Sequence, residues 1–283
     1  MRAAVAIAAA IAMLWVPPAV AASFSTRALD LSGSPRTYCE YVPPRLAADA
    51  PVVLYLHGAL SGNCATDKFG KYWANLAQAT RGFMVLAPQA PDTYWNACSA
   101  PPEVCAAPAW ASETANRDDV GFVRALLALY PGRAVRVSGM SAGGMFAYLV
   151  ACHVNGIQAA HVVAGVSRAQ SCPGGPVPLL HMHGDADAYV PWGGSASYPP
   201  AQPGLDLRAW ANGCTGPAAE TWNALKKRAE YAYPGCAAPV LYYRYACAHG
   251  WPGQYNSFWD WVFGTSCSTS WRAEIDALAW WEQ

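Results

Sequence analysis

An excess of either charge is missing from this chain. Eighteen Lys and Arg stand against eighteen Asp and Glu, with no basic stripe and no acidic tail. Nucleic-acid backbones are held chiefly by clustered Lys and Arg, so no nucleic-acid partner is expected. Charged residues of any sign are scarce, 13% against 54% hydrophobic, which excludes a disordered, solvating chain. No Cys-x-x-Cys pair occurs, so zinc-ribbon and thioredoxin-type sites fall away, and neither a metal nor a cofactor is expected. Past residue 21 no stretch supplies the roughly 18 continuous apolar residues that cross a bilayer. Internal repeats and linker-like segments are also lacking. One domain of ordinary size accommodates the rest.

What is present begins with a targeting signature. Met1-Arg2 is a short basic start, Ala3 to Trp15 is apolar, Pro17-Pro18 breaks the run, and Ala19-Val20-Ala21 matches an A-x-A cleavage site. Residues 1–21 are therefore expected to be a signal peptide and residues 22–283 a domain secreted to the periplasm or beyond, with no membrane association after cleavage. Ten cysteines, an even number, fit disulfides in an exported chain. Cys98 with Cys105, and Cys214 with Cys236, are placed to close surface loops; spacing leaves the full connectivity open.

Along the chain, strands are expected at 24–30, 36–42, 51–57, 83–87, 134–138, 160–166, 177–183 and 240–245. The continuous apolar run Pro51 to His57 and its successors read as buried parallel strands. Helices are expected at 68–80, stopped by Gly82, and at 118–130, 142–152, 207–211 and 271–281. Strands alternating with helices imply an α/β fold, a mainly parallel sheet with helices on both faces. The stretch 89–116, rich in Pro, Ala and aromatics, lacks periodicity and reads as a long loop of the kind that often serves function.

The segment Gly139-Met140-Ser141-Ala142-Gly143-Gly144 is Gly-x-Ser-x-Gly set between an expected strand and an expected helix. That context matches a nucleophile elbow, where a sharp turn projects the serine above the sheet. A serine hydroxyl needs a base to take its proton. In this architecture the chain order is Ser, acid, His. His249 is the single histidine that follows both Ser141 and the carboxylates of His183-Gly184-Asp185-Ala186-Asp187. Chemistry alone leaves Asp185 and Asp187 open as the orienting acid. Backbone N–H groups of Ala142 and of Ala59 or Leu60, in the loop after His57-Gly58, are expected to form an oxyanion hole. His57 itself is expected to hold that loop.

These segments also carry a resemblance. Leu56-His57-Gly58, Asp119-Val-Gly-Phe-Val123, Gly139 to Met145 with Ala151-Cys152, His183 to Pro191, Asn212-Gly213-Cys214, Gly235-Cys236 and His249-Gly-Trp-Pro-Gly253 are together similar to the secreted polyhydroxybutyrate depolymerase-like esterases. Those are in turn similar to bacterial feruloyl and acetylxylan esterases. The resemblance runs from about Arg36 to the C-terminus and implies an α/β-hydrolase fold. Its His-Gly-x-x-Asp-x-x-Val-Pro pattern implies Asp187, not Asp185, as the acid, and its His-x-Trp-Pro-Gly pattern implies His249 as the base. Two features depart from it: Cys247-Ala248 stand where glycines are usual, and a Trp-rich stretch, Gln254 to Trp271, precedes the last helix.

The implied activity is ester hydrolysis through an acyl-enzyme. The implied substrates are hydroxyalkanoate polymer or oligomer, or feruloyl and acetyl esters of plant polysaccharide. Trp95, Trp192 and Trp251 are candidates to stack on substrate. A peptidase on the same fold and a non-catalytic binding protein are the alternatives; an intact Ser-His-Asp set weighs against the latter.

Overall fold

The computed structural model describes residues 22–98, 117–224 and 228–250. The expected signal segment, the rest of the expected 89–116 loop beyond residue 98, Trp251, the Trp-rich stretch and the expected helix at 271–281 lie outside the described residues.

The described chain opens with a hairpin of β1 (Ser25–Leu31) and β2 (Ser34–Tyr41), turned by Ser32 and Gly33, both at positive φ. Next come β3 (Val52–Leu56), helix α1 (Lys68–Thr80), β4 (Met84–Pro88), α2 (Asp119–Ala128), β5 (Val135–Met140), α3 (Ala142–His153), β6 (Ile157–Val163), β7 (Leu179–Gly184), α4 (Ala201–Ala211), β8 (Ala219–Asn223), β9 (Arg228–Ala232) and β10 (Val240–Tyr245). All ten strands form one sheet in the order β1-β2-β4-β3-β5-β6-β7-β10-β9-β8. From β4 to β10 neighbours run parallel. Antiparallel hairpins close both edges.

Strand β3 shows how the sheet is covered. Its five residues are all buried, and the two-residue period of a strand sends them alternately to opposite faces. Val52, Leu54 and Leu56 join one core with Phe122 of α2, Phe146 of α3 and Leu205 of α4. Val53 and Tyr55 join the other, with Phe69, Trp73 and Ala77 of α1.

Helix starts are set by capping. The Asp67 carboxylate accepts from Gly70 N at 2.6 Å, and Asp118 accepts from Gly121 N at 2.7 Å, each satisfying an N–H that the helix cannot. Helix α1 ends one residue before the expected glycine, at Arg81 in the left-handed region. Helix α4 starts six residues before its expected boundary, because Pro203 sits in its first turn, where a missing N–H costs nothing.

The β8–β9 hairpin was not expected from the sequence. Four of the five β8 residues are exposed, so this edge strand carries no apolar alternation to read. Disulfides join Cys39 to Cys64, Cys152 to Cys172 and Cys214 to Cys236, the last as expected. Cys98 and Cys247 are disulfide-bonded as well. Cys105, the partner expected for Cys98, lies outside the described residues. No helix among the described residues is long and apolar enough to cross a membrane.

Candidate active site

Ser141 stands between the last residue of β5 and the first of α3, at φ 56° and ψ −122°. A side chain held in that region costs about 1–3 kcal/mol and persists only where the surroundings impose it. They do so through the backbone. Ser141 N donates to Val163 O at 2.8 Å, and Ser141 O accepts from Met145 N at 2.9 Å. Two glycines make the turn possible: a Cβ at Gly139 would overlap the Gly143 carbonyl, and one at Gly143 would overlap the Leu56 carbonyl. The hydroxyl is thereby set at the C-terminal edge of the sheet, over the positive end of α3.

Asp187 and His249 arrive at the same edge from the loops after β7 and β10. These loops are laced together by backbone bonds, Asp185 N to Tyr245 O at 2.6 Å and Ala186 N to Cys247 O at 3.0 Å. The result is a continuous chain. His249 Nδ1 meets Asp187 Oδ2 at 2.7 Å, and His249 Nε2 meets Ser141 Oγ at 3.0 Å. A carboxylate only accepts, so His249 carries its proton on Nδ1, and Nε2 is free to accept from the serine. The second carboxylate oxygen, Asp187 Oδ1, accepts from Tyr189 N at 3.0 Å and Val190 N at 2.8 Å. All three side chains are buried; Ser141 retains 7% exposure. Asp185, the other carboxylate left open by chemistry alone, points away and pairs with Arg244 at 2.6 Å.

The loop after β3 passes directly over the serine, a Cβ built at Gly58 lying 3.6 Å from Ser141 Cβ. His57 holds this loop, as its position suggested. Its Nδ1–H donates to Gly58 O at 2.8 Å, and its Nε2 accepts from Ala90 N at 3.1 Å. Burial keeps the ring below its ordinary pKa, hence neutral. Leu60 N donates to Thr93 Oγ1 at 3.2 Å, which takes it out of the expected oxyanion pair. The N–H groups of Ala59 and Ala142 have no hydrogen-bond partner among the described residues.

Packing bears on two of the three candidate tryptophans, Trp95 and Trp192; Trp251 lies outside the described residues. Trp95 has no exposure. It stacks on Phe146 at 4.8 Å and donates from Nε1 to His57 O at 2.9 Å, so it supports the His57 loop and has no face for a ligand. Trp192 is half-buried under the acid loop. Its ring is taken up by Tyr242 at 5.3 Å and by the Arg244 guanidinium at 4.8 Å. In the loops after β3 and β7, Leu60 is 71% exposed and Tyr189 41% exposed. The Tyr189 ring lies 5.1 Å from the His249 ring. Neither residue type stands out in sequence without the triad to give it an address.

The fold and the site together define an α/β-hydrolase fold carrying a Ser-His-Asp arrangement. No family model matches the chain. A curated protein of Nocardia uniformis subsp. tsuyamanensis named "Putative esterase NocK" is 28% identical over 201 residues, which is 66% of this chain and 56% of that protein. The chain thus spans little more than half the length of that relative. Among solved structures, an acetyl xylan esterase from Aspergillus awamori superposes with a TM-score of 0.58 at 16% identity, over 86% of this chain and 100% of that one. The LpqC poly(3-hydroxybutyrate) depolymerase from Bordetella parapertussis gives 0.46 at 18% identity, over 68% and 78%.

Proposed function

We propose that this protein is a secreted serine esterase that hydrolyses carboxylic esters through an acyl-enzyme on Ser141. The observation that carries the proposal is the unbroken chain Ser141 Oγ, His249 Nε2, His249 Nδ1, Asp187 Oδ2, with contacts of 3.0 and 2.7 Å. In the reaction Ser141 attacks the ester carbonyl as its proton passes to His249 Nε2. Asp187 holds the imidazole in the right tautomer and stabilises the imidazolium. The oxyanion is received by the Ala142 and Ala59 N–H groups. His249 then protonates the departing alcohol, and water activated by the same nitrogen releases the acid. Each step uses groups of this chain alone.

The exposed apolar side chains of the loops that carry the site support a substrate class. Leu60 and Tyr189 present an apolar and an aromatic surface at the rim, suited to the acyl or aromatic part of an ester rather than to a charged group. Hydroxyalkanoate oligomers and feruloyl or acetyl polysaccharide esters both meet that description. The names of two relatives, an esterase and an acetyl xylan esterase, point the same way. The disulfides agree with export.

The test is hydrolysis by purified protein of p-nitrophenyl acetate and butyrate, methyl ferulate, 3-hydroxybutyrate oligomers and a chromogenic peptide, beside Ser141→Ala. Turnover of an ester that drops by on the order of 10⁶ in the variant is the expected result. Peptide cleavage without ester cleavage would reassign the protein as a peptidase. Silence on every ester and on the peptide would refute the hydrolase reading.

A further inference from the structure

Behind Asp187 lies a run of buried polar side chains that the reaction does not touch. His183 Nε2 is 2.8 Å from Val190 O and 3.5 Å from Asp187 Oδ2. His183 Nδ1 is 3.1 Å from His181 Nε2. His181 Nδ1 is 2.7 Å from the Tyr148 hydroxyl. The two imidazoles stack at 5.2 Å, and the Trp192 ring meets both edge-on. His181, His183 and Tyr148 are each at most 1% exposed.

Donor and acceptor rules assign every proton in this run. A carbonyl oxygen only accepts, so His183 carries its proton on Nε2 and its Nδ1 is a lone pair. His181 must then donate from Nε2, which leaves its own Nδ1 to accept from Tyr148. The direction is fixed at both ends, by a phenol that gives and a carbonyl that takes. We propose that Tyr148, His181 and His183 are positioning residues, a one-directional hydrogen-bond chain that locks the Asp187–Val190 turn and keeps the carboxylate's charge for His249. The proposal rests on Asp187 as the carboxylate that orients His249.

The surroundings favour the neutral chain. His249 and Arg244 face His183, and His161 faces His181, all of them unfavourable to an added positive charge. Asp187 and the Val190 carbonyl favour it, and Arg244 is committed to Asp185. Tyr148 is flanked by Tyr233 and Arg208. Burial pushes both imidazoles below their ordinary range and the phenol above its own, so Tyr148 stays a donor and the histidines stay neutral.

Removing the Tyr148 hydroxyl leaves the His181 Nδ1 lone pair buried without a donor, while His181 Nε2–H still donates to His183. A proton taken up at Nδ1 as pH falls relieves that deficit. The resulting imidazolium would stand one ring behind Asp187 and oppose the positive charge that His249 must take up during catalysis.

Two measurements test the chain. In ¹⁵N-histidine spectra of the wild-type protein, His181 and His183 should both appear as neutral Nε2–H tautomers from pH 5.5 to 8. An Nδ1–H tautomer, or titration of either ring in that range, would overturn the proposal without any variant having to fold. In Tyr148→Phe, kcat should fall with KM unchanged, and the loss should be about tenfold larger at pH 6 than at pH 8, the size of one pKa unit. A loss of the same factor at every pH, or none, would reduce Tyr148 to packing. Asp187→Asn run alongside separates the two readings: unaltered turnover there would remove the triad assignment itself, whatever the tautomers are.

Discussion

Trp95 owes its role to one donor atom. Its Nε1–H satisfies the His57 carbonyl, and its ring is wedged against Phe146 and His57. Trp95→Phe keeps the stack and leaves that carbonyl buried without its donor, a cost of about 1–3 kcal/mol. Because His57 leads into the Ala59 N–H, turnover should fall by about tenfold, short of the roughly 10²–10³ that follows loss of an oxyanion donor. Steady-state kinetics with a thermal melt will show whether the two effects appear together. Asp187→Asn should leave the fold intact and lower kcat by roughly 10⁴, since the amide can impose the wrong imidazole tautomer. At this scale the sequence was informative wherever chain order restricts the choice, as with Ser141 and His249. It was uninformative where three-dimensional packing decides. Trp95 has the composition of a stacking platform, and only its neighbours show that its ring is enclosed. Thr93 and Tyr148 carry no sequence signal because their partners lie 33 residues away or more.

The element that most constrains the site is the β5–α3 junction. Its geometry needs a glycine at 143, where any Cβ would run into the Leu56 carbonyl of the neighbouring strand. Gly143→Ala should therefore separate β3 from the elbow and cost more activity than Trp95→Phe, with a lowered melting temperature; a variant of wild-type activity and stability would show that the junction is looser than described. The three described disulfides close loops of 25, 20 and 22 residues. Loops of that size are worth about 3 kcal/mol each, so dithiothreitol should lower the melting temperature well before it affects the assay at room temperature. Elements with continuous apolar runs were legible from the sequence, as was helix α3, buried from Ala142 to Cys152. The β8–β9 hairpin was not, because an edge exposed on both faces has no hydrophobic period to betray it.

Across the whole molecule, burial of neutral imidazoles couples stability to pH. His57, His161, His181 and His183 are all held below their ordinary value of 6.5 by burial, His161 down to about 3. Above pH 6.5 these groups are neutral in both the folded and unfolded states and contribute nothing. Below it the unfolded chain binds protons that the folded chain refuses, so stability falls with falling pH, by up to about 1.4 kcal/mol per unit for each histidine. Buried tyrosines act at the other limit. Tyr242, pushed up to about 12, and Tyr148 stay protonated in the fold after the unfolded chain has begun to ionise near pH 10, so stability falls again as pH rises past that point. A melting-temperature profile should be flat from about pH 7 to 9 and drop on both sides.

The claim on which everything else depends is that Ser141 is the nucleophile, activated by His249. The direct measurement is labelling with a fluorophosphonate, followed by intact mass and peptide mapping while ester hydrolysis is monitored. One adduct per chain is expected, on the peptide containing Ser141, with activity lost in step and no labelling in His249→Ala. An adduct on another residue, or hydrolysis that survives complete labelling of Ser141, would contradict the account.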